Sequence, residues 1–211
     1  MADQRQLFRE PQPSVVFSGR GVHPRIRAAE GSMNDWFLTA SGRRLHVLTP
    51  DPEWVHIDDI AHALSHLCRF GGHSREFYSV AQHCVLVSEL VPPDHALLGL
   101  MHDATEAYLG DIIRPVKALL KEYSDLETLW RIAIADRFGL PRDLPSCIKD
   151  ADLTALVTER RDLIRADGDP WREDKLGYKP DPRRIVPMDP RAARRAFLGR
   201  FDELTKPTWP R

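Results

Sequence analysis

The stretch whose reading decides the fold is Leu100–Lys117, LMHDATEAYLGDIIRPVK. An apolar helical run carries His102 and Asp103 side by side, then Glu106, and breaks at Gly110 into Asp111. A histidine–aspartate pair sunk into a hydrophobic helix is expensive to bury unless something satisfies it. A metal ion satisfies both residues at once, so the stretch reads as half of a metal site. The rest of the chain must supply the other half and the walls around a substrate.

Toward the N-terminus, Pro92-Pro93-Asp94 separates two helices, and Asp94 reads as the cap of a central helix over His95–Leu109. On that helix Glu106 follows Asp103 by three and His102 by four, which places it close to both. The preceding helix, Ser79–Val91, opens with SVAQ, a capping box of Ser79 and Gln82. His83 follows among Val80, Val85, Leu86, Val87 and Leu90. Alone it would read as a satisfied core histidine; the pair one helix later makes it a candidate ligand. Before it, Arg69–Tyr78, RFGGHSREFY, breaks a helix that begins at Asp58 or Asp59 and runs through Phe70. Its paired glycines permit tight backbone geometry. Its cationic and aromatic groups suit a phosphate and a base or sugar, or else a packed turn with solvated arginines. His62 and His66 sit four apart in HALSH, without the glutamate of an HExxH site, and read as surface or core histidines. Trp36–Leu48 reads as a small hairpin around Ser41-Gly42. Residues 1 to about 33, rich in Arg, Pro and Gly, read as a flexible arm.

Toward the C-terminus, Asp111 sits in the turn, and Arg114 and Lys117 return a basic pair to the neighbourhood. Tyr123–Phe138 has one apolar face, with Leu126, Leu129, Trp130, Ala133, Ile134 and Phe138 spaced for it. Leu144–Ala166 forms a further helix. In it Asp152, between Ala151 and Leu153, is better placed than Asp150 to point inward. After Asp167 the composition turns to proline and charge, so an irregular strap is expected, with a last short helix over Arg191–Leu204. From 181 to the end there are 8 Lys/Arg against 4 Asp/Glu, which suits a solvated face or an oligomer contact.

The 211 residues carry a formal net charge of -1, which argues against a protein that coats nucleic acid. No apolar run reaches the roughly 18 residues of a membrane span. The polar start MADQRQLFREPQP lacks the apolar core of a signal peptide. A cytoplasmic protein is therefore expected. Cys68, Cys84 and Cys147 are sparse and odd in number, as in a protein of buried free thiols.

His83, His102, Asp103 and Asp152 thus come from three successive apolar helices. This mixed nitrogen and oxygen set suits one divalent transition metal (Mn, Co, Fe, Ni or Zn) better than Ca. It leaves coordination positions for water and a phosphate oxygen.

The order H…HD…D on helices resembles the HD-domain metal-dependent phosphohydrolases. The likeness is closer to the branch of bacterial deoxynucleoside 5'-monophosphatases and related phage proteins. It is carried by SVAQH ending at His83, HDATE at His102–Glu106, GD at Gly110-Asp111, PVK at Pro115–Lys117 and KDAD ending at Asp152. It covers roughly Asp58 to Arg165.

The resemblance implies an all-α HD-domain bundle with a small N-terminal β-hairpin and an irregular C-terminal strap. The chain then divides into an arm at 1–33, a core at 34–166 (hairpin 36–48, bundle 58–166) and an extension at 167–211. It implies His83, His102, Asp103 and Asp152 as metal ligands, and Glu106 as general acid or base with the metal-bound water. Asp111 would complete the catalytic or sugar-binding set, and Arg69 would bind phosphate. Phe70 stands where those enzymes carry a Trp against the sugar. The expected activity is a 5'-nucleotidase on deoxynucleoside monophosphates. The alternative is a deoxynucleoside triphosphate triphosphohydrolase, in which His73, Arg75 and Lys117 would meet the extra phosphates. Another class is an HD domain that binds a nucleotide or partner without turnover. A nucleotide substrate, no nucleic-acid partner, no membrane and a homo-oligomer (dimer or hexamer) complete the expectation.

Overall fold

The structure is a computed structural model that describes residues 35–165 and 168–206. The expected N-terminal arm lies outside them. The fold is mostly helical, with one two-stranded antiparallel hairpin. Strands β1 (Trp36–Leu38) and β2 (Arg44–His46) pair with Trp36 opposite His46. Gly42, at φ 79°, turns the chain between them. Helix α1 spans Ile57–His66. Neither Asp58 nor Asp59 caps it; both lie in its first turn behind His56. The buried Asp59 carboxylate instead accepts from Ser41 N at 2.8 Å and Ser41 Oγ at 2.6 Å, which ties the hairpin turn to the helix.

α1 ends at His66, short of the expected Phe70. The chain becomes extended there: Val80 N donates to Leu67 O and Arg69 N to Tyr78 O. These bonds close a loop whose base carries Arg69. Cys68, on this extended segment, is exposed, against the expectation of a buried thiol; Cys84 is buried and Cys147 half-buried.

Helices α2 (Val80–Leu90) and α3 (Ala96–Met101) pack side by side. Gly99 makes this approach possible. A β-carbon there would meet Val91 Cγ2 at 3.0 Å and Ser88 Cα at 3.2 Å, inside ordinary contact. The central helix does not run unbroken to Leu109. Residues 102–105 form tighter turns, with Ala104 N donating to Met101 O and Glu106 N to Asp103 O, before α4 (Glu106–Leu109). Such i→i−3 winding eclipses side chains three apart, so Asp103 and Glu106 fall on one side.

Next come α5 (Arg114–Lys117), α6 (Lys121–Phe138) and α7 (Ser146–Leu163). α7 lies along α2, and α4 along α1. The strap is irregular from Ile164 to Asp189 among the described residues, apart from α8 (Arg172–Lys175). Side chains of α7 and α2 satisfy its backbone, as a non-repetitive segment requires. Arg161 donates to Asp181 O and Arg183 O, and Asp162 accepts from Ile185 N. Gln82 completes only half of the expected capping box. Ser79 Oγ accepts from Gln82 N, but the Gln82 amide bonds Val186 O and Met188 N.

The chain's last helix, α9 (Pro190–Thr205), starts at the Asp189 cap and spans 16 residues. It packs on α1, α2 and α3. Ala193 and Phe197 join the core there, so this end of the strap is ordered by apolar burial. No helix among the described residues is long and apolar enough to cross a membrane.

Candidate metal centre

The bundle brings His83 from α2, His102 and Asp103 from the turn after α3, and Asp152 from α7 to one point. His83 Nε2 lies 3.3 Å from Asp152 Oδ1, 3.5 Å from Asp103 Oδ2 and 3.3 Å from His102 Nε2. His102 Nε2 lies 3.2 Å from Asp103 Oδ2. His83 is fully buried, whereas the Asp103 and Asp152 side chains keep 24% and 26% of their exposure, so the cluster opens on its carboxylate side.

The outer nitrogens decide whether this set fits a cation. His83 Nδ1 sits 2.6 Å from the Glu159 carboxylate, and His102 Nδ1 sits 2.8 Å from Gly99 O. Both partners only accept, so each neutral ring carries its proton on Nδ1. Both Nε2 lone pairs then face each other and two carboxylates. That arrangement is relieved by positive charge between them, either ring protons, toward which the neighbouring carboxylates raise both histidines against burial, or a divalent cation, for which this mixed nitrogen and oxygen set is a candidate site. A second grouping, Cys84 with His102 and Asp103, shares these ligands. Burial pushes the Cys84 thiol up to about 11, with His102 pulling weakly the other way. The thiolate is the metal-binding form, so the set with His83 and Asp152 is favoured.

The electrostatics divide into two sides. Burial alone would raise the Asp103 pKa, but His102, His83 and Arg69 hold it well below the carboxylate range. Asp152 is likewise lowered, chiefly by His83 against its burial. Burial and Arg69 oppose charge on His83, and Glu159 with Asp152 raises it on balance. Glu106 behaves in the opposite way. Burial, then Asp103 and Asp111, pushes it up to about 10, and its Oε2 is buried with no hydrogen-bond partner. Asp111 is also raised by burial, with Arg69, His83 and Lys117 pulling down and Asp103 up.

Arg69 is buried, with one terminal nitrogen 3.2 Å from Glu159 Oε2 and the other 3.6 Å from Asp103 Oδ2. The next residue, Phe70, has φ 57° and ψ 26°, a left-handed conformation that costs a side-chain-bearing residue about 1–2 kcal/mol. The Arg69 guanidinium lies 5.5 Å from the Phe70 ring centroid. The other candidates do not converge on the ligands. Lys117 pairs with Glu127 at 2.5 Å. His73 and Arg75 are exposed on the loop, and among the described residues no hydrogen bond or ion pair joins their side chains to the ligand set.

Glu159 escaped the sequence reading. It is fully buried and contacts two site residues. Its signal was available: it follows Asp152 by seven residues, two helical turns, and so shares that face of α7.

No family model matches the chain. It is 42% identical over 168 residues to the uncharacterized protein YfdR of Escherichia coli, across 80% of this chain and 94% of that protein. It is 40% identical over 159 residues to the uncharacterized protein RCAP_rcc00048 of Rhodobacter capsulatus, across 70% of this chain and 81% of the relative.

Proposed function

The chain belongs to the family of Escherichia coli YfdR, and we propose that it is a metal-dependent phosphohydrolase of the HD-domain type. Its substrate is proposed to be a deoxynucleoside 5'-monophosphate, cleaved to deoxynucleoside and orthophosphate. One observation carries the reading: four ligand atoms from His83, His102, Asp103 and Asp152 converge beside the buried guanidinium of Arg69. A cation site next to a fixed arginine is a receptor for a phosphoryl group.

His83, His102, Asp103 and Asp152 would hold the ion. When bound, a divalent ion supplies charge to a phosphoryl oxygen and acidifies a water. Arg69 binds the remaining phosphoryl oxygens and neutralises charge that develops on them. Burial, Asp103 and Asp111 favour the protonated form of Glu106 in the metal-free protein, and Glu106 is assigned as donor to the departing 5'-oxygen. Asp111 is available to the attacking water or to the sugar 3'-hydroxyl. Phe70, held beside Arg69, is assigned to the sugar or base.

The placement of the remaining cations favours a monophosphate over a triphosphate. Lys117 is engaged by Glu127, and His73 and Arg75 are exposed, with no hydrogen bond or ion pair from their side chains to the candidate ligands among the described residues. The test is product analysis with Mn or Co, using dAMP and dATP in parallel. Orthophosphate from dAMP, with dATP untouched, is expected. Deoxyadenosine and tripolyphosphate from dATP would replace this reading with the triphosphohydrolase. No product from either, with metal bound, would overturn catalysis in favour of a binding domain.

A further inference from the structure

We infer that Glu159 is a positioning residue that couples metal binding to phosphate binding, holding His83 with one carboxylate oxygen and Arg69 with the other. The inference rests on the metal-site reading above and deepens it. Glu159 Oε1 lies 2.6 Å from His83 Nδ1, and Oε2 lies 3.2 Å from a terminal nitrogen of Arg69. Glu159 and His83 are fully buried and Arg69 nearly so. Burying this charge is costly unless both oxygens are engaged, and here each oxygen has its own cationic or N–H partner. The first bond protonates His83 on Nδ1 and turns Nε2 toward His102, Asp103 and Asp152. The second leaves the other end of Arg69, 3.6 Å from Asp103 Oδ2, facing the same ligands. Arg69 Nε is buried without a hydrogen-bond partner, which leaves the guanidinium donor capacity for an anion.

A glutamine at this position offers a single acceptor oxygen and cannot serve both partners. If its NH2 meets His83, the ring is forced into the tautomer that protonates Nε2 and blocks the metal. If its oxygen meets His83, Arg69 loses its anchor.

The test compares wild type, Glu159→Gln, Glu159→Asp and Arg69→Met by calorimetry, with Co(II) and with inorganic phosphate as separate ligands. Glu159→Gln is expected to weaken Co(II) by about 10–100-fold, the usual loss for removal of such an outer partner, and to weaken phosphate with it. Glu159→Asp keeps the charge and recovers part of both. Arg69→Met weakens phosphate and keeps the metal, because the His83–Glu159 bond remains. A folded Glu159→Gln variant with both affinities unchanged would overturn the inference, and so would one that loses metal but keeps phosphate. If that variant does not fold, a long-range 1H–15N correlation on Zn(II)-loaded wild type reads His83 directly. Nδ1 protonated with Nε2 on the metal supports the assignment; Nδ1 on the metal overturns it. A wild type that binds no Co(II) or Zn(II) would overturn the metal reading itself, a different result from losing only the role of Glu159.

Discussion

Glu159, inside α7, and Glu106, at the start of α4, are both buried glutamates, and each feels the charges of the candidate metal site. Glu159 is answered on both oxygens, by His83 and Arg69. Those partners outweigh its burial and hold it below the usual carboxylate range. Glu106 faces Asp103 and Asp111 with one oxygen unpartnered, and is pushed up to about 10. The same residue type, buried in both places, is therefore pushed toward opposite protonation states in the metal-free protein. Partners decide the state, and burial only makes the decision large. Glu159 is thereby favoured as an anion and Glu106 as a neutral acid.

Three substitutions and one pH series would break or sharpen this contrast. Asp103→Ala should have the largest effect, because Asp103 is a ligand and also one of the charges that keeps Glu106 protonated. Metal content and turnover should vanish together; retained metal would remove Asp103 from the ligand set. Glu106→Gln should keep the metal and lower kcat by about 10²–10⁴-fold, the usual contribution of a positioned proton donor. Wild-type turnover in that variant would leave Glu106 outside the reaction. Gly99→Ala presses a β-carbon onto Val91 and Ser88, where α2 and α3 set the distance between His83 and His102. Overpacking of this kind costs about 1–3 kcal/mol, read as a lower midpoint in denaturant; an unchanged midpoint would show that the helices yield freely.

The contrast also predicts a pH dependence in metal-free protein. Glu106 titrates near 4.5 when unperturbed and near 10 in the fold. The folded state therefore holds an extra proton between those values, and wild-type stability falls as pH rises through that window. The Glu106→Gln variant has no such proton to hold. It should melt above wild type at pH 8, with the gap closing toward pH 5. A gap independent of pH would place the Glu106 pKa near its ordinary value.

The sequence made the helical character and the four candidate ligand positions legible because both are local signals. Apolar spacing marks α2 and α7, and the HD pair stands out in an apolar run. What it hid depends on tertiary partners. The end of α1 at His66 follows from pairing of Leu67 and Arg69 with Tyr78 and Val80, which no periodicity announces. Gln82 looked like a cap residue because its spacing from Ser79 is right, yet its amide is spent on the strap. Glu159 reads as an ordinary charged residue of α7 until His83 and Arg69 are seen against it. Phe70 gives no sign in sequence of its left-handed backbone, beyond the two glycines that follow it.

The most direct test of the central claim is the metal stoichiometry of the purified wild-type chain. Metal is stripped, then Mn(II) or Co(II) is restored, and the bound ion is counted by mass spectrometry with inductively coupled plasma. One divalent ion per chain is the predicted result, set by a single cluster of His83, His102, Asp103 and Asp152. A folded chain that retains no divalent ion would contradict the account.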